Sequence, residues 1–165
     1  QPHPAIQPIP EGEVMKRILL VALALISSGC SEQIPVNQDD PNIEQIKGVF
    51  TAYNQDFIDN DFEGIVSHFQ TPVRIAQANA LIAMTPDELM DIYRDIKTNI
   101  QEGYKYSTID RLDVHRLAST VYYADADYTR YNDQDEIIFE GRGLYYFGNE
   151  TGSWKMFAMG SVEKD

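Results

Sequence analysis

The sequence predicts an α+β domain in which three helices precede a sheet of long antiparallel strands. Two patterns carry that expectation. Between residues 41 and 100 the apolar residues recur every three or four positions, the period of a helix with one buried face. From Tyr104 onward the period falls to two, the signature of strands with one face turned to a core. Size agrees: 165 residues allow one domain and little more, and 43% hydrophobic residues supply a real core.

The first helix is expected from Pro41, a residue that tolerates the first helical position because its missing N–H has no partner there anyway. Its stripe is Ile43, Ile46, Phe50, Tyr53 and Phe57. Asn60-Asp61 breaks the helix, and Asp61 can cap a second one carrying Phe62, Ile65, Val66 and Phe69 and ending at Pro72. One or two short strands are expected within 73–84, turning at Ala78-Asn79-Ala80. Thr85-Pro86-Asp87-Glu88 predicts a helix start with Thr85 and Glu88 as a reciprocal capping box. Leu89, Ile92, Tyr93, Ile96 and Ile100 form its stripe, and Gly103 suits the C-terminal cap. Four strands follow at Tyr104–Leu117, Thr120–Tyr131, Glu136–Phe147 and Ser153–Val162. In the second of these, Tyr122, Ala124, Ala126 and Tyr128 share one face and Tyr123, Asp125, Asp127 and Thr129 the other. Gly141 and Gly143 mark a bend or a close approach in the third.

The segment before Pro41 has a different character. Residues 1–14 hold four prolines and no periodicity, and read as a misassigned or disordered extension ahead of Met15. Residues 15–29 read as a signal peptide: Met15-Lys16-Arg17, nine apolar residues from Ile18 to Ile26, then Ser27-Ser28-Gly29. The ending resembles a bacterial lipoprotein lipobox, with Ser28 and Gly29 in the small positions before Cys30 and Ser27 where Leu is usual. That resemblance implies acylation of Cys30, residues 30–40 as anchor and tether, and, with Ser31 rather than Asp next, an outer-membrane location facing the periplasm. Membrane contact is then through the lipid alone.

Composition excludes several functions. A net charge of −13 repels nucleic-acid backbones. A single cysteine excludes an intrachain disulfide and a multi-cysteine zinc site. Isolated His68 and His115 lack ligand spacing, so no metal centre is expected. No nucleotide or phosphate-loop motif is present, so no cofactor is expected either.

The order of elements, the run Phe50 to Phe69 with its Asn60-Asp61 corner, and Gly152-Ser153-Trp154-Lys155-Met156 before the last strand resemble the nuclear transport factor 2-like superfamily, SnoaL-like proteins included. Residues 41–163 carry the resemblance. It implies a curved sheet wrapped round the three helices as a cone, with a pocket at the open end expected to include Tyr53, Phe57, Gln77 and Tyr93. Superfamily members include isomerases, dehydratases and non-catalytic binding modules, so the site must decide. In the ketosteroid isomerases a first-helix Tyr, eight residues before the corner Asp, donates to the substrate oxyanion. Tyr53 stands eight before Asp61, and is either that group or simply part of the buried stripe. The isomerase base aligns with Gln77, and a carboxamide cannot abstract a proton at neutral pH. Catalytic candidates are therefore Tyr53 and His68, the latter because dehydratase-like members use a histidine in the cone. His115 reads as solvent-facing. Asp125 and Asp127 read as a solvent-facing pair; on the concave side they would need a partner, and Arg142 is the obvious one.

The sequence thus points to binding of a small apolar or amphipathic ligand, or of a partner protein, without chemistry; the alternative is a cofactor-free lyase or isomerase acting on a small carbonyl compound. The many sheet tyrosines suggest a homodimer formed through the sheet.

Overall fold

The computed structural model describes residues 40–76 and 80–164. The extension, the signal peptide, Cys30, all of the tether but Asp40, and Gln77 lie outside the described residues.

Asp40 opens helix α1 (Pro41–Asp59) by accepting from the Asn42 amide, and α1 buries Ile46, Phe50, Tyr53 and Phe57. Asn60 ends it in the left-handed conformation, φ 59°, a geometry asparagine tolerates. Asp61 then caps the short helix α2 (Phe62–Ser67) by accepting from the Gly64 amide.

Phe69 and Pro72 depart from expectation. Phe69 starts strand β1 (Phe69–Ala76) rather than ending a helix, and Pro72 lies inside that strand. The strand tolerates it because β1 slips register against its neighbour between Phe69 and Arg74, so no ladder bond is demanded of Pro72. Strand β2 (Leu81–Ala83) pairs back onto β1.

Helix α3 (Pro86–Thr98) begins at Thr85, whose Oγ1 accepts from the Glu88 amide at 3.2 Å. Glu88 reaches one residue further back than a capping box requires: its Oε2 accepts from the Met84 amide at 2.7 Å. Thr85→Ala is expected to lower stability by about 1 kcal/mol, read as a reduced urea midpoint with an unchanged slope. Asn99, not Gly103, closes α3; Gly103 takes φ +80° in the turn that follows.

Strands β3 (Tyr106–Ala118), β4 (Val121–Tyr131), β5 (Ile137–Gly148) and β6 (Lys155–Glu163) form an antiparallel meander, and β6 then runs parallel to β1. The resulting open, curved six-stranded sheet has the order β2-β1-β6-β5-β4-β3. On its helix-facing side, two cross-strand pairs match large with small, Tyr128 with Gly141 and Ala124 with Tyr145, and the pair between them, Ala126 with Gly143, is small on both strands. The two glycines are required by close approach. A Cβ on Gly143 would stand 2.7 Å from the Tyr145 ring, and one on Gly141 would collide with Tyr128.

The other side of the sheet carries a charged row. Asp125 is only 9% exposed, because two guanidinium groups cover it. Arg142 takes both its oxygens, at 2.9 and 2.6 Å, and Arg111 adds a bond at 2.9 Å while also gripping Asp127 and Asp113. Lys164 completes the row on Asp127 at 3.0 Å. The pair thus lies away from the helices yet is shielded, and Arg142 is its partner there. These bonds hold the Asp125 carboxyl down at about 2, Arg142 contributing most. A folded value below the ordinary 3.8 means stability present above pH 4 that is lost between pH 4 and 2. Asp125→Asn is expected to flatten that part of a pH–stability curve.

Candidate functional site

Helices α1 and α3 lie over the concave side of the sheet and leave a cavity of about 310 Å³ between them and strands β3–β6. That is the low end of the range for small-molecule sites. Phe50, Tyr53 and Phe57 enter from α1, Tyr93 and Ile96 from α3, and Ile109, Tyr128, Arg130, Phe139, Tyr145 and Met159 from the sheet. The α1 residues meet here because positions 50, 53 and 57 fall on one helical face. The sheet residues meet because alternate positions share a face, and the two glycines make room for the Tyr128 and Tyr145 rings.

Tyr53, Phe57 and Tyr93, three residues expected in a pocket, stand together on this wall. The Tyr53 and Tyr93 hydroxyls lie 3.0 Å apart and hydrogen-bond one another, and Tyr93 Oη donates to Met159 Sδ at 3.1 Å. Their rings pack edge-on at 6.2 Å, and Tyr53 also packs against Phe69 and Tyr145. Burial holds the phenols of Tyr53, Tyr93 and Tyr145 well above the ordinary tyrosine range, so all three stay neutral.

His68 does not line the cavity. Its Nε2 bonds Asp56 Oδ2 at 2.7 Å, fastening the α2 corner back to α1, while the ring meets Tyr53 edge-on at 6.4 Å. His115 is on the opposite sheet face, stacked on its cross-strand neighbour Tyr123 at 4.8 Å. No group of three or more potential metal ligands occurs among the described residues.

Arg130 escapes sequence reasoning. It extends by two residues the face that Tyr122, Ala124, Ala126 and Tyr128 define, and so points a guanidinium to the helix side. Its Cζ lies 5.1 to 5.9 Å from the ring centres of Phe57, Tyr104, Tyr128 and Phe139. Lys97 shares two of those rings, its Nζ 4.4 Å from Phe57 and 4.5 Å from Tyr104, and donates to the Phe57 carbonyl at 2.8 Å. Burial first, and the Arg130 charge second, pull the Lys97 amine down to about 8.

Comparison with known proteins agrees with this architecture. Residues 43–164 match the family described as NTF2-like protein (DUF6841). The chain belongs to that family. No curated protein matches the sequence. Among solved structures, this DUF6841 domain resembles a ketosteroid isomerase-like protein from Erwinia carotovora atroseptica SCRI1043 at TM-score 0.61 and 13% identity, covering 76% of this chain and 98% of that one. An NTF2-like protein of unknown function from Pseudomonas putida KT2440 gives 0.61 and 15%, over 73% and 85%. A hexachlorocyclohexane dehydrochlorinase from Novosphingobium barchaimii LL02 gives 0.63 and 8%, over 75% and 87%. At such identities the likeness is one of fold, and the fold hosts enzymes as well as proteins without assigned chemistry.

Proposed function

We propose that this NTF2-like domain binds one small apolar or amphipathic molecule in the cavity between α1, α3 and the sheet, without converting it. The observation that carries the reading is the use made of the two central phenols. Tyr53 and Tyr93 bond to each other and to a thioether, and neither bonds a carboxylate or a histidine among the described residues. A lyase or isomerase acting through Tyr53 would want an acid or base within about 3 Å of the reacting atoms. His68, the histidine expected for that role, has its Nε2 on Asp56 instead, and Asp95 and Glu163 border the cavity without bonding either phenol. The rest of the wall combines aromatic, Ile and Met surface with polar groups such as Asn54, Asp95, Arg130 and Glu163, a lining suited to holding an amphipathic molecule.

The proposed setting is the cell envelope, with Cys30 acylated and residues 31–40 spanning to the domain; the lipobox-like Ser28-Gly29-Cys30 supports it. A homodimer through the sheet is also proposed. The half-exposed row His115, Tyr123, Tyr146 and Phe157, contiguous across β3 to β6, supports that partner. Tyr146→Glu is expected to dissociate it, read as halved mass by sedimentation; a monomeric wild type contradicts the dimer.

Native mass spectrometry of the full chain purified from membranes tests the binding function. A co-purifying small molecule at up to one per chain is expected. Ile109→Trp, which fills the cavity, should lose it while keeping the circular dichroism spectrum. A wild type with no bound molecule, or one that chemically alters the molecule on incubation, contradicts the reading.

A further inference from the structure

We propose that Arg130 is the anion-receiving group of the cavity, so that its ligand is an amphipathic carboxylate. This rests on the binding function above and adds the chemical class. On the far side of the sheet Arg111, Arg142 and Lys164 are all paired with aspartates. Arg130 and Lys97, which share the rings of Phe57 and Tyr104, make no ion pair with any described carboxylate. Other cations, the exposed Arg74, Lys105 and Arg116 among them, also make none, but Arg130 is the one held among four aromatic rings with a donor shielded from solvent.

The hydrogen bonding of Arg130 is also incomplete. Nη1 donates to Gln101 Oε1 at 2.6 Å, whereas Nε is shielded from solvent and bonds to nothing. The free side of the fork, Nε with Nη2, is the side that grips a carboxylate through two parallel bonds. Arg130 lines the cavity, so this side of the guanidinium is the one left to receive a ligand there. A buried donor without an acceptor is costly, and an entering carboxylate removes the deficit. Lys97 adds positive potential from behind Phe57. Asp95 and Glu163 also border the cavity, and their charges repel a dianion more strongly than a monoanion. The apolar wall of Ile96, Ile109 and Met159 receives the body of the ligand.

Calorimetry on the full-length protein tests this with three eight-carbon probes: octanoate, octan-1-ol and octyl phosphate. Octanoate is expected to bind about tenfold more tightly than octanol, and more tightly than octyl phosphate. Arg130→Gln should bring octanoate to within about twofold of octanol. Should R130Q fail to fold, Lys97→Met is expected to weaken octanoate about threefold and leave octanol unmoved. Equal wild-type affinities for octanoate and octanol overturn the inference and leave the apolar binding function standing. Failure of all three probes to bind overturns both. An octanoate preference that survives R130Q removes the role of Arg130, and a preference for octyl phosphate overturns the carboxylate assignment.

Discussion

Above pH 10 the protein is expected to lose stability by about 4 kcal/mol per pH unit, enough to unfold it within two or three units. The cause is the buried cluster of Tyr53, Tyr93 and Tyr145. Each is almost inaccessible, at 6, 1 and 5% exposure, and burial raises each phenol well above 10. In the unfolded chain the same groups ionise near 10. Between that pH and the folded values the unfolded state binds fewer protons, so the derivative of unfolding free energy with pH is negative. Each group contributes about 1.4 kcal/mol per unit. Lys97 works the other way below this range. Its folded value near 8 lies under the ordinary 10.5, so the unfolded chain holds more protons between those limits and stability rises slightly with pH there. The expected profile is a shallow rise followed by a steep fall. Tyrosinate absorbance should lag for the three and then appear together with loss of the circular dichroism signal. Three phenols titrating as free tyrosines with the fold intact would falsify their burial.

Phe147→Ala is expected to cost about 3–5 kcal/mol, a large share of the total stability of a domain this size. Phe147 is fully buried and pairs across β5 with Tyr122 on β4 and Met156 on β6, both also fully buried. Three interlocked side chains on three adjacent strands cannot close over a lost ring. Phe147 does not line the cavity, so the variant that still folds at low temperature should keep its ligand affinity. Urea titration measures the first effect and calorimetry at reduced temperature the second. A loss below 1 kcal/mol contradicts the packing described.

Much of this was legible in the chain, because it rests on local periodicity. The stripe Ile46, Phe50, Tyr53 and Phe57 needs only a 3.6-residue repeat, and the Asn60-Asp61 corner needs only capping chemistry. The β4 alternation places Tyr122 and Ala124 on the core side without any knowledge of their neighbours. Phe69 misleads because it falls four residues after Ile65, on the helical repeat, while the partner that makes it a strand residue is Met156 on β6. Pairing across that distance leaves no local trace. Asp125 misleads for a related reason: its shielding comes from Arg111 and Arg142 on the strands either side. Arg130 had a signal, since it continues an apolar face by period two, but an arginine ordinarily marks the solvated end of such a face. Only the convergence of three rings from elsewhere in the chain, Phe57, Tyr104 and Phe139, with Tyr128 of its own strand gives it an interior role.

The central claim is that a small molecule occupies the space between α1, α3 and the concave sheet. Methyl-resolved NMR tests it most directly, with octanoate and octanol titrated into protein labelled at Ile and Met methyls. Shifts are expected at Ile96, Ile109 and Met159, which line the cavity, and none at Ile65 or Met156, which are buried elsewhere. Shifts confined to the exposed Ile82 of β2 and Met84 just beyond it, or no shifts with either probe, would contradict the account.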